Sequence, residues 1–121
     1  MNIKIKSVQI YEDHEDTIEE QYDNANINFL DKNVIVKYNK NEIIFDEKKK
    51  SVSVKREGND IFIELNKENE FIYETPYGKI NLKTYGERIE VLKYPFSMII
   101  EYKITLNDTI NYKNIMEILE F

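Results

Sequence analysis

A chain of 121 residues with no cysteine and a formal net charge of −6 has the size of one domain, residues 1–121, whose core must hold it together without disulfides. The same numbers exclude a thiolate metal site and, with both charge signs interspersed, any basic stripe that could neutralise a phosphate backbone, so no nucleic-acid partner is expected. The opening MNIKIKSVQIYE alternates charged and apolar residues, which predicts neither a signal peptide nor a membrane span and suits a cytoplasmic protein.

Aromatics make up 12% of the chain and alanine occurs only at Ala25, a bias toward strands and away from helices. The first strand is predicted over Asn2–Tyr11. Ile3 and Ile5 share one face, but Val8 and Ile10 fall one step out of phase, so a bulge near Lys6 or Ser7 is expected. The acidic run Glu12–Asp16 reads as a turn. Thr17–Phe29 carries Ile18, Tyr22, Ile27 and Phe29, whose phase changes near Asn24-Ala25-Asn26, where a bend or bulge is expected. Val34, Val36 and Tyr38 align on the next strand, and Ile43–Phe45 forms another. Val52, Val54 and Arg56 alternate against Ser53, Lys55 and Glu57, before the turn residues Gly58-Asn59-Asp60.

Ile61, Ile63 and Leu65 share a face. Thr75-Pro76-Tyr77-Gly78 then has proline where a type I turn wants a preset φ and glycine where the chain needs φ > 0, which predicts a hairpin with a glycine bulge. Phe71, Tyr73 and Thr75 share a face before it, and Ile80, Leu82 and Thr84 after it. Tyr85-Gly86-Glu87 allows a kink before Ile89 and Val91. From Phe96 the alternation is unbroken, with Met98, Ile100, Tyr102, Ile104 and Leu106 on one side. Asn107-Asp108 reads as a tight turn, which favours a strand over a helix for Ile110–Phe121.

Roughly eight to ten strands at spacings of about 8–12 residues, joined by short turns with no room for a crossover helix, predict an all-antiparallel sheet. Closing it as an up-and-down β-barrel would remove exposed edges, so a barrel is expected over a two-sheet sandwich.

Three stretches, SVSVKREG at Ser51–Gly58, FIYETPYGKINLKT at Phe71–Thr84 and the terminal IIEYKITLNDTINYKNIMEILEF, resemble the YwiB-like family of uncharacterised bacterial proteins. The resemblance lies in an Arg-x-Gly after a strand, a Tyr-x-Thr-Pro-x-Gly hairpin and a late strand with tyrosine in its alternation. It implies a lipocalin-like, or calycin-like, β-barrel and carries no chemistry or functional residue with it.

The one histidine, His14, stands among Asp13, Glu15 and Asp16 on a loop, without the spacing that a metal site requires, so no metal and no cofactor are expected. No serine lies in a nucleophile-elbow context and three glycines make no phosphate loop, so an enzyme is the less expected outcome. Lys48-Lys49-Lys50 reads as a solvated hairpin tip. Arg56 is the more pointed signal. In phase with Val52 and Val54 it faces the core, where its charge needs either a structural partner or a ligand's carboxylate or phosphate. Tyr73, Thr75, Thr84 and Tyr102 also fall on inward faces and, with Arg56, are the candidate ligand-binding residues.

Two functions follow. One is a barrel holding a small apolar or amphipathic molecule inside. The other is a filled barrel that uses an outer face or sheet edge for a protein partner or for self-association, with Ile99, Phe62 and Ile72 as outward apolar candidates.

Overall fold

The computed structural model describes residues 1–56, 59–106 and 109–121. Among them the chain forms eleven strands: β1 (Ile3–Ile10), β2 (Glu15–Tyr22), β3 (Asn26–Leu30), β4 (Asn33–Tyr38), β5 (Asn41–Asp46), β6 (Ser51–Arg56), β7 (Asn59–Glu64), β8 (Glu68–Thr75), β9 (Gly78–Leu92), β10 (Ser97–Leu106) and β11 (Thr109–Glu120). All ladders between them are antiparallel. The sixth and seventh strands flank residues 57–58, and the last two flank 107–108, so the turns expected at Gly58-Asn59-Asp60 and Asn107-Asp108 fall partly or wholly outside the described residues.

Within each sheet consecutive strands pair, and β1 pairs with β11, which is the order of an up-and-down, calycin-like barrel, but β2 shares no ladder with β3, nor β7 with β8. The closure is not continuous, however. Hydrogen bonding separates a six-stranded sheet, β2-β1-β11-β10-β9-β8, from a five-stranded one, β3-β4-β5-β6-β7. At the two seams short corners, residues 23–25 and 65–67, carry the chain from one sheet to the other. Each contains an asparagine in the left-handed region, Asn24 at φ 59° and Asn66 at φ 59°, a conformation asparagine tolerates better than most residues. The change of phase around Asn24-Ala25-Asn26 is therefore a corner between sheets.

The seams are stitched by single contacts. The Ala25 N–H donates to the Met1 carbonyl at 2.8 Å and the Asn66 N–H to the Gly86 carbonyl at 2.8 Å. Fully buried Thr84 donates its hydroxyl to the Phe62 carbonyl at 2.7 Å, joining β9 to β7. Gly86 lies so close to the end of β7 that a Cβ there would stand 2.4 Å from the Glu64 carbonyl oxygen. Only glycine fits that approach. The kink expected at Tyr85-Gly86-Glu87 is a β-bulge: Glu101 pairs with Arg88 but Tyr102 with Gly86, leaving Glu87 as the extra residue.

Between the sheets lie Ile3, Val36, Ile43, Val52, Val54, Ile63, Met98, Ile100, Ile104, Met116 and Ile118, all buried. Phe96 closes one end, its ring packed edge-on against Phe29 at 6.0 Å. The alternation of β10 puts Met98, Ile100, Tyr102 and Ile104 inside, as expected, and the C-terminal segment is a strand. The Thr75–Gly78 hairpin forms, with Gly78 at φ 131°. Its pairing runs from Thr75↔Gly78 to Glu68↔Tyr85 without a shift of register, so the reversal is a two-residue turn in place of the expected bulge.

The expected bulge in the first strand is absent from the ladders. β1 pairs with β2 and β11 in an unbroken register from Ile3 to Ile10. Because side-chain direction alternates strictly along an unbulged strand, the face of Ile3 and Ile5 continues through Ser7 and Gln9. The inward face turns polar at that end, and Val8 and Ile10 take the outer face. Among the described residues no helix is long and apolar enough to cross a membrane.

Candidate functional site

The polar continuation of the first strand has counterparts around the ring. On β2 the inward positions are Ile18, Glu20 and Tyr22; on β11 they are Tyr112 and Asn114, in step with buried Met116 and Ile118. Tyr38 and Arg56 end the inward rows of β4 and β6, and Tyr73 continues that of β8. Together with Ile5, Ser7, Gln9, Asn41, Ile61 and Tyr102, these side chains line a cavity of about 450 Å³ at the end of the barrel away from Phe96. The volume falls within the roughly 300–1,000 Å³ of small-ligand pockets.

Its floor is a buried pair. Tyr102 and Asn114 are directly opposite residues of β10 and β11, exposed by 3% and 4%, and the Asn114 side-chain N–H donates to the Tyr102 hydroxyl at 2.7 Å. The Asn114 Oδ1 is buried and has no hydrogen-bond partner among the described residues. A buried amide oxygen left unpaired is costly and uncommon in a folded protein. Exchanging the amide's O and N would only move the vacancy from an acceptor to a donor.

The wall is aromatic. Tyr22 and Tyr38 face each other across the β2/β3 seam with ring centroids 4.7 Å apart, and the Tyr22 hydroxyl donates to the Glu20 carboxylate. That hydrogen bond, helped by burial, pushes the Tyr22 phenol up to about 12. Burial, reinforced by neighbouring phenols, pushes Tyr112 up to about 12 as well. Burial also raises Tyr38, opposed by the charge and hydrogen bond of the Arg56 guanidinium. Tyr102 is raised by burial and opposed by the Asn114 hydrogen bond. Near neutral pH these four phenols are protonated and able to donate. At the rim Tyr11 stacks on His14 at 4.5 Å and leans on Tyr112 at 5.3 Å, while its hydroxyl donates to Gln9 at 3.1 Å.

Of the five residues singled out in the sequence, the cavity gathers three: Arg56, Tyr73 and Tyr102. Arg56 is in phase with Val52 and Val54 as expected, but it is not buried. It ends its strand at the open end, so the guanidinium reaches the mouth, where solvent offsets the cost of its charge. No ion pair among the described residues engages it. Thr75 lies at a hairpin tip, away from the cavity, and its hydroxyl donates to the Gly78 carbonyl at 2.8 Å while accepting the Tyr77 N–H at 3.1 Å. Thr84 is on an inward face yet its hydroxyl is bound to the seam. Neither threonine lines the cavity.

Ser7, Gln9, Glu20 and Asn114 also line the cavity and are not among the residues expected from the sequence. Each stands in register with apolar inward residues of its own strand, and the out-of-phase Val8 and Ile10 were the signal. An interior expected to be apolar proves to be largely polar and aromatic at this end.

His14 makes contacts to Asp13 at 2.6 Å and Asp16 at 3.5 Å, and no group of three or more metal-ligating side chains occurs among the described residues. The outward residues Ile99, Phe62 and Ile72 do not adjoin. Ile99 pairs with Glu90 and Glu117, Ile72 with Asn81 several residues further along the sheet, and Phe62 with Ser53 on the other sheet.

The fold is shared with a solved structure. The crystal structure of ywiB protein from Bacillus subtilis aligns with 99% of this chain and 90% of its own at a TM-score of 0.66 and 15% identity. At that identity the likeness concerns the fold alone. No curated protein matches the chain by sequence. A family model described as "Domain of unknown function (DUF1934)" matches residues 3–118, and the chain, YwiB-like in fold and in its sequence motifs, belongs to that family.

Proposed function

We propose that this protein binds a small molecule in the cavity at the open end of the barrel and performs no chemistry on it. The observation that carries the reading is Asn114, which lines the cavity and whose buried Oδ1 has no partner among the described residues. A barrel whose interior were filled for stability alone gains nothing from an asparagine there, whereas a binding site uses a few fixed polar groups in such a place to orient its ligand. Of the apolar and amphipathic ligands expected, the lining favours the amphipathic, because among the described residues phenols, amides and one guanidinium surround three aliphatic side chains, Ile5, Ile18 and Ile61. We take the site of action to be the cytoplasm, where a domain without cysteine forgoes no disulfide.

The test is a fragment screen on isotope-labelled protein, with a library divided among monoanions, cations, neutral polar compounds and hydrocarbons, read by amide and side-chain NMR shifts. Binders that perturb Ser7, Gln9, Tyr102 and Asn114 together are expected. A screen in which no class perturbs those residues defeats the reading.

A further inference from the structure

We infer that the ligand is a small monoanionic organic acid with a planar body, its carboxylate held by Arg56 at the mouth and its far end, a hydroxyl or amide, seated on Asn114 and Tyr102. This deepens the reading above and rests on it.

The charge follows from the lining. Among the described residues Arg56 is its one cation and Glu20 its one carboxylate, and Glu20 already accepts the Tyr22 hydroxyl. No carboxylate among the described residues pairs with Arg56, and beyond its hydrogen bond to Tyr38 the guanidinium has further donors to offer an acid. A phosphate monoester, carrying about −1.5 to −2 near neutral pH, would meet one guanidinium and the repulsion of Glu20. A single carboxylate is matched.

The far end follows from the floor. The Tyr102 oxygen accepts from Asn114, which leaves its own O–H to donate, and Asn114 Oδ1 beside it has nothing to accept from. One donor next to one acceptor complements a group that both gives and takes a hydrogen bond. A hydroxyl or carboxamide does so, and a methyl group or a second carboxylate does not. Tyr22, Tyr38, Tyr73 and Tyr112 also line the cavity, and aromatic side chains suit a flat apolar body.

The experiment is calorimetric titration of the full chain with 4-hydroxybenzoate, 4-hydroxyphenylacetate and 3-(4-hydroxyphenyl)propionate, a series of increasing span. Each is compared with its methyl ester and with the acid lacking the hydroxyl. For the best-fitting member, esterification and loss of the hydroxyl should each weaken binding about tenfold or more. Arg56→Gln, a change at the solvated mouth, should erase the preference for acid over ester while keeping that for the hydroxyl. Asn114→Val should do the reverse; should it fail to fold, Tyr102→Phe reads the same end. Equal binding of acid and ester, or no binding by any member, overturns the inference. If the fragment screen meanwhile finds cations or neutral compounds in the cavity, the broader reading stands without this one. Failure of both removes the cavity as a site.

Discussion

Asn114 and Tyr102 face each other on adjacent strands, joined by a 2.7 Å hydrogen bond that satisfies the amide nitrogen and leaves the amide oxygen empty. Along their strands the inward neighbours of the pair are Ile100 and Ile104 on β10 and Tyr112 and Met116 on β11, and two apolar residues of similar volume in their place would leave no orphaned atom.

That arrangement makes the pair a cost to stability. Tyr102→Phe strips Asn114 of its partner and should destabilise the protein by about 1–3 kcal/mol. The double change Tyr102→Phe with Asn114→Leu should recover most of that loss or exceed the parent. Urea unfolding of the two single variants and the double one measures it, and a double variant weaker than the sum of the singles would contradict the account.

Gly86 allows β9 to touch the end of β7. Gly86→Ala places a methyl carbon 2.4 Å from the Glu64 carbonyl oxygen, and since backbone has little room to yield, a loss of about 1–3 kcal/mol is expected. Thermal unfolding checks it. Hydrogen exchange should locate the damage in the strands that meet at the β7/β8 corner, leaving β3 to β5 unaffected.

Thr84→Val removes the bond to the Phe62 carbonyl with little change of shape. A cost of about 1–2 kcal/mol is expected from the part-buried acceptor it strands. Thr84→Ser, which keeps the hydroxyl, should cost less of the seam's hydrogen-bond energy. Equal midpoints for valine and serine in chemical denaturation would mean the bond contributes nothing.

The tyrosines give stability a sign at alkaline pH. Tyr22 and Tyr112 ionise at about 12 in the folded protein against about 10 when unfolded. The folded state therefore holds its phenolic protons more tightly, and between those two values the unfolded state binds fewer. Stability is full below about pH 10 and falls as pH rises toward 12. Absorbance titration of phenolate should show a late step that Tyr112→Phe diminishes. A late step unchanged by that substitution would assign it elsewhere.

The order and direction of the strands could be read from alternation, because a half-buried ribbon repeats every two residues and the turns show in proline, glycine or asparagine or in runs of charge such as Glu12–Asp16 and Lys48-Lys49-Lys50. Met98, Ile100, Tyr102 and Ile104 lie inside as the pattern requires, and Arg56 keeps its phase. Two things lay beyond that reading, for one reason. Alternation says which residues share a side, but hydropathy says which side is inward only where the interior is dry. At the open end the interior is lined by polar side chains, so Ser7 and Gln9 looked like surface and their strand looked bulged. Likewise, local sequence marks where chains turn and not where two sheets part. The seams at β2/β3 and β7/β8 arise only when the whole ring tries to close, and closure is a property of all the strands together.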